Sequence, residues 1–71
     1  MLSDCCYDQT KMLHELSRLH HFVERHALPE VRENDLPLTE ELYKELLIDL
    51  DKNVEKFRQA IEGLSREGKF R

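Results

Sequence analysis

The side chains best suited to chemistry in this sequence are the neighbouring thiols of Cys5 and Cys6, near the amino terminus. Two thiolates supply half of the four ligands that zinc takes, and a helix N-terminus makes a thiolate more reactive. One hypothesis is therefore thiol-based metal or redox sensing at this pair. An antiparallel hairpin would bring residues 64–70 to the thiols, and that segment holds no histidine or cysteine to complete a ligand set. The alternative is that Cys5, on the apolar stripe of its helix, is a small buried hydrophobic residue.

The four histidines lie between residues 14 and 26. At about 100° per residue, His20 faces the core and His26 an edge, whereas His14 and His21 share the outer face about 10 Å apart, too far for one ion. Neither the Glu-x-x-His pattern of di-iron bundles nor the His-Glu-x-x-His pattern of zinc proteases occurs. We expect no metal centre and no other cofactor, and we interpret His20 as a core histidine bonded to Glu24.

The outer face of this first helix carries a stripe of basic and aromatic residues without an acid among them. Basic side chains bind phosphate groups and aromatic rings stack on bases, so the stripe predicts an anionic partner, in particular RNA. The alternative is a solvated face that balances acidic neighbours. The stripe consists of Tyr7, Lys11, His14, Arg18, His21 and Arg25.

The outer face of the second helix mixes both charge signs, as a solvated surface normally does. Ile48 is the one large apolar residue on it. It is a candidate anchor for a protein partner, although single exposed apolar residues are common.

The segment Leu13-His14-Glu15-Leu16 resembles a fragment of the phosphoacceptor box of histidine kinases, whose dimerisation domain is a helical hairpin that forms a four-helix bundle. The resemblance covers four of 71 residues, and Arg18 stands where the family has a small polar residue. It implies a phosphoacceptor role for His14 with Glu15 as its acid/base neighbour, or a hairpin that imitates such a domain and binds its partners. In shape alone, the expected dimer also resembles the Rop-type RNA-binding regulators of plasmids.

Two amphipathic helices must position these residues. Ser3 or Asp4 can cap a first helix, predicted over 4–27. The segment 28–38 is bracketed by two prolines, each of which pushes its predecessor out of the α region. It predicts a linker that reverses the chain, with at most one short helical turn after the first proline.

The second helix is predicted over 39–67, with Thr39 as its cap and Gly68 as its stop signal. Its apolar residues repeat at steps of three and four, which is the strongest pattern in the sequence. We predict a dimer core built from Leu16, Leu19 and Val23 of the first helix and Leu46, Leu50, Val54, Phe57 and Ile61 of the second.

A chain of 71 residues has room for one domain, 1–71, and its 39% hydrophobic and 37% charged residues are typical of a helical bundle. The predicted fold class is all-α: an antiparallel two-helix hairpin. Its apolar stripes are too wide for one neighbouring helix to cover, so we expect two hairpins to close into a four-helix bundle, which makes the protein a homodimer.

The function classes that remain are few. No apolar run approaches the roughly 20 residues of a membrane span and no secretory signal is recognisable, so a cytoplasmic protein without membrane contact is expected. A phosphate-binding glycine loop and a nucleophile elbow are both missing, so we expect no enzyme. The leading hypothesis is a non-enzymatic protein-interaction or regulatory module. Nucleic-acid binding is the alternative, although the net charge of −4 disfavours a general nucleic-acid binder.

Overall fold

A computed structural model describes residues 3–70, of which residues 4–33 and 37–66 are helical. Helix α1 spans Asp4–Phe22, α2 spans Leu28–Glu33 and α3 spans Pro37–Arg66, and a π-helical turn over Val23–Ala27 joins α1 to α2 without a break. The all-α prediction is confirmed for these residues. In the described part of the chain, no helix is both long enough and apolar enough to cross a membrane.

The two arms, α1 with α2 and then α3, run in opposite directions. At one end Cys6 Sγ lies 3.7 Å from the Lys69 carbonyl oxygen, and further along His20 Nε2 lies 2.8 Å from Asp51 Oδ1. These pairs join residues that are far apart in sequence in the order that an antiparallel hairpin requires. The Cα atoms extend over 49 × 18 × 13 Å, so the single chain is a thin, elongated body.

The outer ends of the two arms are capped as their residue types predict. The Ser3 hydroxyl accepts a hydrogen bond from the Cys6 amide at 3.3 Å. At the end of the second arm Gly68 has a φ of 71°, and the amides of Gly68 and Lys69 donate to the carbonyls of Ser65 and Leu64. This pair of bonds is the Schellman arrangement, in which glycine is favoured because it has no Cβ to clash.

The predicted linker over 28–38 is wrong, because most of it is helical and the chain reverses within residues 34–36. The π turn explains the difference. The hydrogen-bonded loop of a π turn is wider than that of an α-helix and so gives room to Pro29. Proline has no amide N–H to donate, and in an α-helix its pyrrolidine ring collides with the carbonyl four residues earlier. The π turn also rotates α2 by about one residue, so that Leu28 and Val31, both 7% exposed, face the core.

The turn itself depends on a residue with positive φ. Asp35 has a φ of 54°, and its amide and that of Leu36 donate to the carbonyls of Arg32 and Val31, in a second Schellman arrangement. Helix α3 then begins at Pro37 rather than at the predicted Thr39 cap. Proline has a fixed φ near the helical value and no amide N–H that would need a hydrogen-bond partner, so it suits a first helical position.

Within residues 3–70 of a single chain, the buried apolar residues are Cys6, Val23, Leu28, Val31 and Leu50. Among the predicted dimer-core residues, Val23 and Leu50 are therefore already covered within one hairpin. Leu19 is 44% exposed. The remaining five are half-buried, namely Leu16, Leu46, Val54, Phe57 and Ile61.

Candidate interaction surfaces

One side of the hairpin is an open apolar groove along the seam between α1 and α3. Two depressions of about 800 and 650 Å³ adjoin at Phe57. Most of its exposed lining surface is apolar, and polar or charged side chains contribute the rest. The apolar and small lining residues are Met12, Leu16, Leu19, Phe57, Ala60, Gly63 and Leu64.

The groove exists because α3 packs against only part of the apolar stripe of α1. Two contacts to the second arm come from Cys6, which meets the Lys69 carbonyl just past α3, and from His20, which meets Asp51 in α3. Cys6 and His20 lie about 80° and 40° to one side of Leu16 on the helix. Met12 and Leu19, about 40° and 60° to the other side, are 45% and 44% exposed. A stripe wider than one helix contact therefore leaves an apolar edge uncovered.

The other side of the seam is closed by polar contacts. His20 Nε2 donates to Asp51 Oδ1 over 2.8 Å, rather than bonding Glu24 as the sequence suggested. Nearer the turn, Glu40 Oε2 lies 3.0 Å from Lys44 Nζ and 3.3 Å from Arg32 Nε. The hydrogen bond from Lys44, with that from Arg32, lowers the pKa of Glu40, and the same contact raises the pKa of Lys44. The two sides of the hairpin thus differ in polarity.

A polar atom at the end of the groove lacks a partner. Gln9 lines the depression beside Phe57, and its Nε2 lies 3.9 Å from Cys5 Sγ. Its Oε1 is sealed from solvent and accepts no hydrogen bond from any residue in the range 3–70.

The structure separates some residues of the basic stripe from the others. His14, Arg18 and His21 line one shallow cleft of about 420 Å³, together with Ser17, Phe22 and His26. Lys11 instead stands on the rim of the apolar groove, between Asp8 and Glu15. Tyr7 is exposed near the start of α1 and lines neither depression.

Acidic side chains on the flanks of α1 reach the stripe. Arg18 Nη1 lies 3.4 Å from Glu15 Oε1, and Arg25 Nε lies 3.7 Å from Glu24 Oε1. Lys11 therefore stands apart from the cleft, and Arg18 and Arg25 each have a carboxylate oxygen within 3.7 Å. Helical periodicity alone did not show this, because it places a Cα on a face but does not follow a long side chain.

The π turn adds His26 to the cleft, a residue that an uninterrupted α-helix would place at an edge. The ring centroids of His21 and His26 are 6.5 Å apart, and those of Phe22 and His26 are 5.8 Å apart with an interplanar angle of 32°. In a π turn, residues five apart come close, which brings position 26 beside position 21. The spacing of five between the core residues Val23 and Leu28 was the signal for this turn.

The sequence predicted that Cys5 is buried, but in the structure Cys5 is exposed and its neighbour Cys6 is buried. The reason is the same offset of the α3 contact towards the Cys6 side of α1. No cluster of three or more His, Cys, Asp or Glu residues suited to a metal ion occurs within residues 3–70.

Ile48 and His14 are both accessible. Ile48 is 56% exposed, on the side of α3 away from the groove. His14 is exposed in the cleft, and its neighbour Glu15 bonds Arg18. A scan of protein-family models, a search of curated proteins and a search of solved structures each found no match to this chain.

Proposed function

We propose that this protein is a non-enzymatic interaction module that acts as a homodimer, in which the apolar grooves of two hairpins close on each other to form a four-helix bundle. The observation that carries the proposal is the continuous groove from Leu64 to Leu19 on one side of the hairpin, with Met12 and Leu19 half in solvent. Ile48, outside the groove, remains free in such a dimer to contact a protein partner.

The exposed area supports a dimer of this kind. A compact monomer of 8.5 kDa is expected to have about 4,700 Å² of accessible surface, and this chain has 5641 Å². The excess of about 1,000 Å² is close to the roughly 800 Å² that each partner contributes to a stable interface. A second copy is thus sufficient to cover the excess.

The chemistry of the groove suits a second copy of the same chain. Small residues at 60 and 63 let another helix approach closely, and a Cβ added at Gly63 would meet nothing within 4 Å in the single hairpin. The rim carries both charge signs, as a surface that pairs with its own copy requires. These rim residues are Asp8, Lys11 and Glu15 on α1 and Lys56 and Glu67 on α3.

The test is sedimentation equilibrium on the full chain at micromolar concentration, with two matched variants. Leu19→Glu places a charge in the groove and is expected to give a monomer, because an unpaired charge in an apolar interface costs several kcal/mol. Ile48→Glu makes the same change at a side chain that is 56% exposed, outside the groove, and is expected to remain a dimer. A wild-type chain that stays monomeric, or equal behaviour of the two variants, would contradict the proposal.

A further inference from the structure

We infer that the cleft beside the π turn, lined by His14, Ser17, Arg18, His21, Phe22 and His26, binds the phosphate group of a small phosphomonoester. The cleft lies on the outer side of α1, and α3 contributes no lining residue to it. The inference is therefore independent of the dimer proposed above, and either can fail without the other.

The donor set of the cleft fits a phosphate. Three imidazoles, a guanidinium and a hydroxyl line it, and no carboxylate does. Guanidinium and protonated imidazole make the short, charge-assisted hydrogen bonds that phosphate oxygens accept. Arg18 reaches Glu15 at 3.4 Å with 68% of its side chain exposed, a surface pair that an arriving dianion can replace at small cost.

The backbone supports the same assignment. The π turn holds the ring of His26 within 6.5 Å of His21 and 5.8 Å of Phe22, so that its imidazole joins the other donors of the cleft on one side of the helix. Turns of this kind are frequent at functional sites. Phe22, 55% exposed, gives the cleft an apolar wall on which the carbon skeleton of a phosphomonoester can pack.

The experiment is a titration of the full chain, followed by NMR of the histidine ring protons, with inorganic phosphate, a nucleoside monophosphate and sulfate at constant ionic strength. A saturable shift of His14, His21 and His26, with His20 unmoved, is expected for all three. Tighter binding of the nucleoside monophosphate than of phosphate would identify an organic phosphomonoester, and equal binding would identify free phosphate as the ligand.

Two variants separate the cleft from general charge attraction. Arg18→Gln is expected to weaken binding by about tenfold or more, since a hydrogen bond to a charged group is worth about 1.5–3 kcal/mol. Arg58→Gln is the matched control, because Arg58 pairs with Glu55 three residues away at 3.3 Å, as Arg18 does with Glu15. Equal weakening by both variants, or no saturation, would overturn the assignment, as would a short RNA that binds while phosphate does not.

A pH comparison adds a readout that a merely structural role would not change. Between about pH 8 and about pH 6, histidine is the side chain that gains charge in ordinary surroundings, whereas sulfate keeps its charge. The other charged groups on this face are Arg18 and Arg25 with Glu15 and Glu24. Sulfate should therefore bind more tightly at the lower pH, and His26→Asn should reduce that difference. Binding of sulfate that is equal at both pH values would contradict the inference.

Discussion

Deleting Arg25 tests why the first arm contains a π turn. The deletion brings Val23 and Leu28 from five to four residues apart, so that an ordinary α-helix keeps Leu28 and Val31 on the core face. It also places Pro29 in a regular α-helix, where its ring collides with the carbonyl four residues earlier and offers that carbonyl no N–H. We expect the free energy of unfolding to fall by about 3 kcal/mol.

Replacing Pro29 separates the two contributions. Pro29→Ala alone should keep the π turn, because a regular helix of full length would swing Leu28 and Val31, each 7% exposed, away from the core. Burial of each is worth about 1.5–3 kcal/mol, more than a restored helical bond. In the deletion background the same substitution removes the collision. The double variant should therefore regain about 3 kcal/mol, which appears as a coupling between the two changes.

The assay is thermal and urea unfolding followed by far-UV circular dichroism at one fixed chain concentration, since association shifts Tm. A loss of about 3 kcal/mol lowers Tm by about 12 °C or more in a chain of this size. Arg25→Ala is the control that removes the side chain without changing the helical phase, and its effect should stay within about 0.5 kcal/mol. A deletion variant as stable as the Arg25→Ala control, or a double variant with Pro29→Ala no more stable than the deletion alone, would contradict this prediction.

Three further predictions concern the turn, the ion pairs beside it and the core. Asp35→Gly should raise the free energy of unfolding by about 0.5–1 kcal/mol and Asp35→Ala should lower it, because φ at this position is 54°; urea unfolding in which both variants move the same way would contradict this. The pKa of Glu40 is lowered in the fold by Lys44 and Arg32, so its stabilisation is complete above the ordinary carboxyl pKa and is lost as the pH falls through the folded value. Glu40→Gln should therefore lower Tm near neutral pH and show a smaller further loss between about pH 6 and about pH 3, and a Tm difference from wild type that does not change with pH would count against it. Leu50→Ala, at a side chain only 4% exposed, should cost about 2–5 kcal/mol in urea unfolding; a loss below about 1 kcal/mol would mean that Leu50 is not part of the core.

Local chemistry alone was enough to place the ends of the two arms. Ser3 is a capping residue by type, and Gly68 is the residue that a positive φ favours. Both stand where they were predicted, since caps depend on residues within one turn of the chain. The predicted start of the second helix at Thr39 is wrong for a local reason as well, because Pro37, two residues earlier, is the better first residue of a helix.

Helical periodicity could not determine the direction in which α3 packs on α1. The sequence predicted a wide apolar stripe centred on Leu16, but only the tertiary contacts through Cys6 and His20 decided that Met12 and Leu19 remain uncovered. A stripe wider than one helix contact allows more than one packing direction, and long-range pairs select among them.

The π turn is a second case in which local and tertiary demands had to be combined. The spacing of Val23 and Leu28 and the position of Pro29 can be read from the sequence, yet regular α periodicity predicts a helix that ends near residue 27 and a linker after it. The burial of Leu28 and Val31 against the second arm favours a π turn, which holds one residue more than an α turn, and this turn sets the position of His26. Local sequence thus specified the two long helices and their outer ends, whereas the tertiary contacts selected which faces stay exposed, because burial depends on residues far away in the chain.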